Sequence, residues 1–409
     1  MRFFHISDLH IGKQLHERSL LEDQRHILSQ VAARTREYRP DAVIIAGDIY
    51  DKSMPSAEAV TVFDDFITEL AATDTTVLLI SGNHDSAERI NFGSRIFAKN
   101  NVHFAGIPPR TPSVHIKRVV LKDSFGDVNF WLLPFVKPGY VRGIFESADL
   151  SNTDLGNTDL KNSDSDNVDL KNPVRSYDSA VRAVLERENI DYSERNVIIS
   201  HQLYTNGSVS PVRSDSEVIS IGGIDNIDAG ALEKFDYAAL GHIHSAQQVK
   251  SPNIRYCGTL LKYSVGEEND EKGLLMVELG AKGEAADFCV IPLSPLRDVR
   301  QIKGKFDDII KRFAGEHKDE VCNDYVSVVL TDENEIFNAG SRLADIFPKL
   351  LTIRVQNSRT KMTVSDISYA DTALTPSEEF EAFFEQMQGR SMTEDERKAF
   401  SEVLKEVDE

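Results

Sequence analysis

A chain of 409 residues exceeds the roughly 250–300 residues that one hydrophobic core usually serves, so more than one domain is expected. Its 41% hydrophobic and 27% charged residues are typical of a globular protein, and no apolar run is long enough to cross a bilayer. The formal net charge of −20 argues against the domain-wide basic surface of a simple nucleic-acid binder, but it leaves open phosphate chemistry assisted by divalent cations.

The N-terminus and the cysteines predict a cytoplasmic protein. The first residues contain neither the apolar core of about 7–15 residues nor the small-residue cleavage site of a secretory signal. Cys257, Cys289 and Cys322 lie far apart in the sequence. We interpret them as small buried hydrophobic residues in a reducing compartment rather than as a disulfide framework.

The first part of the chain, residues 1–284, alternates short apolar runs with amphipathic segments, which predicts a layered α/β domain. Helices are predicted in the gaps at 16–38, 56–72 and 176–188. Buried strands that end in polar residues are predicted at 2–7, 41–48, 76–85, 128–135, 196–201 and 236–244. Open α/β sheets usually bind ligands at the carboxyl ends of their strands, so these polar residues are the candidate site.

Residues 148–172 interrupt this domain with five copies of a five-residue unit, ADLSN TDLGN TDLKN SDSDN VDLKN. The segment resembles the pentapeptide-repeat pattern, but five units supply too few stacked neighbours to bury a core. With many aspartates and almost no large apolar residues, it is predicted to be a solvated low-complexity insertion.

A second domain of α+β character is predicted at 285–372, in a capping position. Its strands are expected at 286–293, 325–332 and 350–356, and its helices at 306–318 and 341–348. A third segment, 373–409, is predicted to form a pair of helices. The first of them carries Phe380, Phe383, Phe384 and Met387 at helical spacing, so the pair either packs back on its own domain or docks on another protein.

Five short motifs follow the predicted strands: Asp8-x-His10, Gly47-Asp48-x-x-Asp51, Gly82-Asn83-His84-Asp85, His201, and Gly241-His242-x-His244. Each alone is more often structural than functional. Together they supply carboxylate, imidazole and amide ligands at one kind of position, which predicts a two-metal site suited to Mn, Fe or Zn. Asp48 is the predicted bridging carboxylate, because its glycine neighbour lets the backbone approach closely. The predicted metal ligands are Asp8, His10, Asp48, Asn83, His201, His242 and His244.

The motifs DxH, GDxxD, GNHD, SH and GHIH resemble the calcineurin-like metallophosphoesterase superfamily. Longer stretches such as LLPFVKPGYVR, IGGIDNIDAGALEKFDYAALGHIHSAQ and IRYCGTLLKYSVGEENDEKG are similar to its SbcD family of nuclease subunits. The resemblance implies a layered β-sandwich flanked by helices. It also implies one cation on Asp8, His10, Asp48 and His244, and a second on Asp48, Asn83, His201 and His242. His84 and Asp85 are then the expected catalytic residues: His84 orients or protonates the scissile phosphate, and Asp85 holds the His84 imidazole in one tautomer.

The same resemblance implies a DNA nuclease with two Mn²⁺ ions, although Mg²⁺ or other divalent ions fit too. Expected activities are 3′–5′ exonuclease on duplex ends and endonuclease on single strands or hairpins, in DNA end processing, repair, recombination and replication. An SbcC-like ATPase is the expected partner and must be a separate chain, because the sequence has no GxxxxGK[ST] loop. The C-terminal helices are its expected dock, and a homodimer through the nuclease domain is also implied.

Three other functions remain open on the sequence. A free-standing phosphodiesterase of small nucleotides fits the acidic charge, but it would need neither the second domain nor the C-terminal helices. A phosphoprotein phosphatase is disfavoured, since that branch typically has GDxxDRG and GNHE where this chain has Lys52-Ser53 and Asp85. A non-catalytic scaffold is disfavoured by the complete ligand set.

Overall fold

The computed structural model describes residues 1–149, 176–217, 225–313 and 323–357, with positions 174, 321, 380, 381, 384, 390–394, 396–398 and 400. The predicted insertion at 148–172 lies, from residue 150 onward, outside the described residues. The chain divides into two compact units. The first is Met1–Gln301 with Asn323–Val326, and the second is Ile302–Cys322 with Ser327–Glu409.

The first unit contains two six-stranded sheets. In spatial order, the first sheet consists of β16 (Asp287–Pro292), β15 (Gly273–Glu278), β1 (Arg2–Ile6), β4 (Ala42–Ala46), β5 (Thr76–Ile80) and β6 (Val102–Ala105). Strands β1, β4, β5 and β6 are parallel, whereas β15 and β16 are antiparallel to their neighbours. Every residue of β4 and β5 is buried, as expected for parallel strands covered on both faces.

The second sheet has a parallel centre and antiparallel edges. It contains, in spatial order, β13 (Gln247–Val249), β14 (Ser251–Tyr256), β12 (Tyr237–Gly241), β9 (Arg195–His201), β8 (Gly126–Leu133) and β7 (Lys117–Asp123). Side chains of both sheets share one core, in which the Phe3 ring lies 5.8 Å from that of Phe130 and 5.5 Å from that of Tyr237. The predicted layered α/β architecture of this unit is confirmed.

The described α-helices of the first unit are α1 (Leu21–Tyr38), α2 (Ala57–Ala71), α3 (Ala87–Asn91), α4 (Ser94–Phe97), α5 (Pro138–Asp149) and α6 (Tyr177–Arg187). Helices α2 and α6 start where predicted, because the Ser56 and Ser176 hydroxyls accept from backbone N–H groups three residues on, at 3.2 and 3.1 Å. Helix α6 packs Val181 and Val184 on the outer face of the second sheet. Short 3-10 helices occur at Ala98–Asn100, Ala229–Leu232 and Val265–Glu267.

The predicted helix at 16–38 was wrong in its first turn. His16 and Glu17 have φ angles of 45° and 65°, and this left-handed backbone cannot continue a right-handed helix. The two residues instead turn the chain between the paired strands β2 (Gln14–Leu15) and β3 (Arg18–Ser19). A second short pair, β10 (Tyr204–Thr205) with β11 (Ile227–Asp228), also lay outside the predicted elements.

The predicted domain boundary at 284/285 differs from the division into units. Strand β16 was expected to open the second domain, but it pairs along its whole length with β15 in the first sheet. Residues up to 301 therefore belong to the first unit. The extent of the capping domain stays a prediction.

The second unit holds most of a three-stranded sheet in the order β17 (Val299–Gly304), β18 (Tyr325–Leu330) and β19 (Leu350–Val355), with helices α7 (Phe306–Phe313) and α8 (Ala339–Ile346). Helix α7 buries Phe306, Ile309 and Phe313, and the Phe313 ring lies 5.3 Å from that of Phe347. These residues form the small apolar core expected from the spacing.

The predicted C-terminal helices fall largely outside the described residues. Positions 380, 381, 384, 394, 396–398 and 400 are helical, and the rings of Phe380 and Phe400 stack 3.7 Å apart. The helical pair otherwise stays a prediction. None of the described helices is both long and apolar enough to span a membrane.

Candidate metal centre

The candidate residues meet at one edge of the two sheets, because each follows or ends a parallel strand. Asp8 and His10 follow β1, Asp48 follows β4, Asn83 and His84 follow β5, His201 ends β9, and His242 and His244 follow β12. Hydrogen bonds of 3.0 Å from Asp8 N to Gly47 O and from His10 N to Asp48 O connect the loops after β1 and β4.

Asp48 lies at the centre of the cluster. Its Oδ2 atom is 3.2 Å from Nε2 of His201 and 3.7 Å from Nε2 of His10, while its Oδ1 accepts the backbone N–H of His84 at 2.9 Å. Gly82 makes this possible, since a Cβ at that position would lie 2.1 Å from Oδ1 of Asp48. The carboxylate thus faces imidazoles from both sheets, as a bridging ligand must.

One group of ligand atoms gathers around Asp8, His10 and His244, all within 4.8 Å of one another. The Nε2 atoms of the two imidazoles face each other at 3.2 Å, and Nε2 of His10 lies 4.0 Å from Oδ1 of Asp8. These are three of the four ligands expected for the first cation, and Asp48 is the fourth.

A second group surrounds the side-chain oxygen of Asn83. This Oδ1 atom lies 3.1 Å from Nε2 of His201 and 3.0 Å from Nδ1 of His242. Asp8 also reaches this side, with its Oδ1 3.9 Å from Nε2 of His201. Asp8 therefore faces both groups, whereas the sequence assigned it to the first cation alone.

The backbone is strained where it presents these residues. Asp8, His10, Asp48 and His242 have φ angles of 54°, 43°, 50° and 107°, which L-residues rarely adopt. Each such conformation costs of order 1–3 kcal/mol and persists only where its surroundings enforce it. Here His242 N donates to both carboxylate oxygens of Asp8, at 3.1 and 3.0 Å.

The buried charges show a strong demand for positive charge. Burial raises the pKa of Asp8 to about 7, with Asp48 adding to the rise and His201 opposing it. Burial would also lower the pKa of His201, yet the nearby Asp48 carboxylate raises it to about 9. For His10 and His242 burial prevails and lowers the pKa of each ring to about 3. Neutral imidazoles beside carboxylates are the form in which these side chains bind metal ions.

The donor set fits two divalent cations. It consists of oxygen and nitrogen atoms that converge from buried loops, and both carboxylates, Asp8 and Asp48, are almost wholly buried. Nδ1 of His10 is also buried and has no hydrogen-bond partner among the described residues. Buried carboxylates facing imidazole lone pairs are stable when cations lie between them.

His84 stands beside the cluster. Its ring lies edge-on to that of His10, with centroids 4.8 Å apart, and its Nδ1 donates to the carbonyl oxygen of Asp51 at 2.9 Å. Asp85, which was expected to hold this ring in one tautomer, contacts other groups. Its carboxylate accepts the backbone N–H groups of Ile49, Tyr50 and Gly82, at 3.1, 3.0 and 2.9 Å. Asp85 thus joins the loops after β4 and β5, and Asp51 orients His84.

The sequence analysis missed four other residues that contact the site. Asp51 belongs to a motif already noted, but its carbonyl group gives no sequence signal. Ser216, Glu217 and Glu267 lie in polar loops away from any strand end. They reach His244 directly or through one another.

Comparison with known proteins agrees with this geometry. The model of the calcineurin-like phosphoesterase family matches residues 1–246, more than half of the chain. A second family model, described as the type 5 capsule protein repressor C-terminal domain (SbcD_C), matches residues 295–388. The chain therefore belongs to the calcineurin-like phosphoesterase family, and the prediction of a metallophosphoesterase enzyme is confirmed.

Two relatives narrow the likeness within the family, and both carry the name of SbcD, the second component of the nuclease SbcCD. The protein from Staphylococcus epidermidis is 30% identical over 358 residues, which cover 86% of this chain and 85% of the relative. The one from Staphylococcus saprophyticus is 27% identical over 409 residues, covering 99% and 98%. The resemblance to SbcD is thereby confirmed.

Among solved structures, a dimetal phosphatase from Danio rerio is 15% identical with a TM-score of 0.35. The match covers 71% of this chain and 98% of the phosphatase. This likeness is too distant to support an inference about function.

Proposed function

We propose that the chain is a metal-dependent DNA nuclease of the SbcD type, with 3′–5′ exonuclease activity on duplex ends and endonuclease activity on single strands and hairpins. The observation that carries the proposal is the convergence of carboxylate, amide and imidazole groups on Asp48, with His84 beside them. Relatives that match nearly the whole chain are named as nuclease components, which favours DNA as the substrate.

The proposed cofactor is a pair of Mn²⁺ ions, for which Mg²⁺ or other divalent ions can substitute. Asp8, His10, Asp48 and His244 would hold one ion. The other would be held by Asp48, Asn83, His201 and His242. When bound, such ions neutralise phosphate charge and make water a stronger acid.

His84 is the proposed proton donor to the departing oxygen. Its Nδ1–H donates to the Asp51 carbonyl, so Nε2 is the nitrogen left to exchange a proton with the substrate. A ring that releases the Nε2 proton becomes the neutral tautomer that this carbonyl stabilises. Asp85 serves the reaction by fixing the loops that carry Asp48 and His84.

An end-labelled DNA hairpin, a blunt duplex and bis-p-nitrophenyl phosphate test the function together. The wild type with Mn²⁺ is expected to cut both DNA substrates, whereas Asp48→Asn should cut neither and bind less metal. Brisk turnover of the small phosphodiester without DNA cleavage would overturn the nuclease assignment. It would instead support the small-nucleotide phosphodiesterase, which the net charge of −20 favours.

An SbcC-like ATPase in the cytoplasm is the proposed partner, and the segment 373–409 its dock. The segment has apolar residues at helical spacing, among them Phe380 and Phe384. A chain ending at residue 375 should cut DNA alone but should not respond to ATP and the ATPase. Stimulation equal to that of the full chain would refute this dock.

A homodimer through the first unit is also proposed. Phe92, which is 83% exposed, and Val60 line an apolar depression of about 780 Å³. Phe92→Glu is expected to convert a dimer into a monomer in light scattering. Phe337→Glu, at an 86% exposed position of the second unit, is the matched control and should leave the dimer intact.

A further inference from the structure

A chain of polar side chains leads away from His244, on the side of the ring opposite the cluster. Nδ1 of His244 lies 2.7 Å from the hydroxyl of Ser216, and that hydroxyl lies 2.8 Å from Oε1 of Glu267. A carboxylate only accepts, so the Ser216 O–H donates to Glu267 and its oxygen accepts from the imidazole. Nδ1 of His244 therefore carries the proton, and Nε2 is left with a free lone pair facing His10.

The far end of this chain is fixed. The Glu267 side chain is only 1% exposed, and it forms a 2.8 Å ion pair with Lys272. Its Oε1 also accepts from the Ser264 hydroxyl at 2.9 Å, and Lys272 donates to the carbonyl of His244 at 3.0 Å. A buried carboxylate with these partners cannot easily turn away from Ser216.

The backbone of His244 is held by the same segment. Oε1 of Glu217, the residue after Ser216, accepts the His244 N–H at 2.8 Å and the Ser214 N–H at 3.2 Å. Residues 214–217 thus fix both the ring and the main chain of His244. In sequence, Ser216 lies 28 residues before it.

His201 and His84 are oriented differently. Nδ1 of His201 faces the carbonyl of Ala46 at 2.7 Å, and Nδ1 of His84 faces that of Asp51. Those carbonyls belong to the end of β4 and the loop after it, and a side-chain substitution cannot remove them. For His244 the corresponding acceptor is a side chain, so its contribution can be measured by mutation.

We propose that Ser216 and Glu267 are positioning residues that hold His244 in the Nδ1–H tautomer and thereby strengthen the cation site formed with Asp8 and His10. The inference rests on the metal site of the proposed function but not on its substrate. Partners of this kind orient a ligand imidazole and raise its basicity. Their removal typically weakens metal binding by about 10–100-fold.

The test is a Mn²⁺ titration of metal-free full-length protein, with free Mn²⁺ counted by electron paramagnetic resonance. The wild type is expected to bind two ions. Ser216→Ala should bind one of them about 10–100-fold more weakly. Ser216→Thr keeps the hydroxyl and should restore most of the affinity. Ser208→Ala, at an exposed position earlier in the same loop, is the matched control and should bind as the wild type does.

DNA cleavage gives the second measurement. With Ser216→Ala, the Mn²⁺ concentration for half-maximal rate should rise by the same factor, while kcat at saturating Mn²⁺ stays near that of the wild type. Thermal unfolding with EDTA verifies that each variant is folded. Two ions bound to Ser216→Ala with wild-type affinity would overturn the positioning role. A wild type that binds two ions but cuts no DNA would overturn the nuclease proposal alone.

Discussion

The imidazole of His84 lies near the cluster without being among its expected ligands, so its loss should separate chemistry from metal binding. In His84→Gln we expect kcat on a DNA hairpin to fall by about 10²–10⁴-fold, the usual contribution of a general acid. Mn²⁺ affinity should stay unchanged in a calorimetric titration. An equal loss of both would show that His84 is a ligand, an interpretation that its grouping with His10 and Asp48 within 4.8 Å also permits.

His5 is a buried residue of β1 whose charge state links stability to pH. Burial lowers the pKa of its ring to about 3 from an ordinary value of 6.5, although the Leu240 carbonyl opposes the shift. The folded state thus favours the neutral ring. Its stabilisation is present above pH 6.5 and is lost as the pH falls below that value.

The prediction concerns the free energy of unfolding of the first unit, measured with urea and EDTA at pH 7.5, 6.5 and 5.5. The loss between pH 6.5 and 5.5 should be smaller in His5→Gln than in the wild type, by up to about 1.4 kcal/mol. His115→Gln, at a side chain 55% exposed, should keep the wild-type slope. Identical slopes in all three proteins would contradict the assignment.

At the scale of elements, the loop after β5 must pass close to the loop after β4. Gly82 permits this, because a Cβ there would lie 2.1 Å from Oδ1 of Asp48 and 2.5 Å from its backbone nitrogen. Gly82→Ala should therefore displace the Asp48 carboxylate and abolish tight Mn²⁺ binding, as followed by calorimetry.

Gly139 offers the matched control, since a Cβ on this residue of α5 would meet nothing within 4 Å. Gly139→Ala should bind Mn²⁺ as the wild type does and be slightly more stable, because alanine favours the helix. Wild-type metal affinity in Gly82→Ala would show that the two loops can separate without loss of the site.

At the scale of the whole molecule, the first unit should depend on its cations for stability. Loops after five strands meet there with strained backbone and buried carboxylates. A ligand at about 100 times its Kd stabilises the folded state by about 2.7 kcal/mol. EDTA should therefore lower the Tm of the wild type, and excess Mn²⁺ should restore it.

Asp48→Asn is the reference for this measurement, because it lacks the central carboxylate. Its Tm should respond little to either EDTA or Mn²⁺. A wild-type Tm that is insensitive to both reagents would mean that the carboxylates are accommodated without cations.

Much of the fold could be predicted because its signals are local. The apolar runs of β4 and β5 and the capping serines of α2 and α6 act within a few residues. The prediction failed where a local pattern was ambiguous. Residues 16–19 look helical until His16 and Glu17 adopt left-handed backbone, and β16 follows a plausible boundary yet joins the first sheet.

The sequence by itself determined which residues form the site, because motifs at the carboxyl ends of parallel strands must meet at one edge. Only the tertiary structure decided how they meet. Asp8 faces both ligand groups, Asp85 joins two loops instead of holding His84, and Ser216 reaches His244 across 28 residues. These relations depend on loop paths and single hydrogen bonds between distant segments, for which neither spacing nor periodicity carries information.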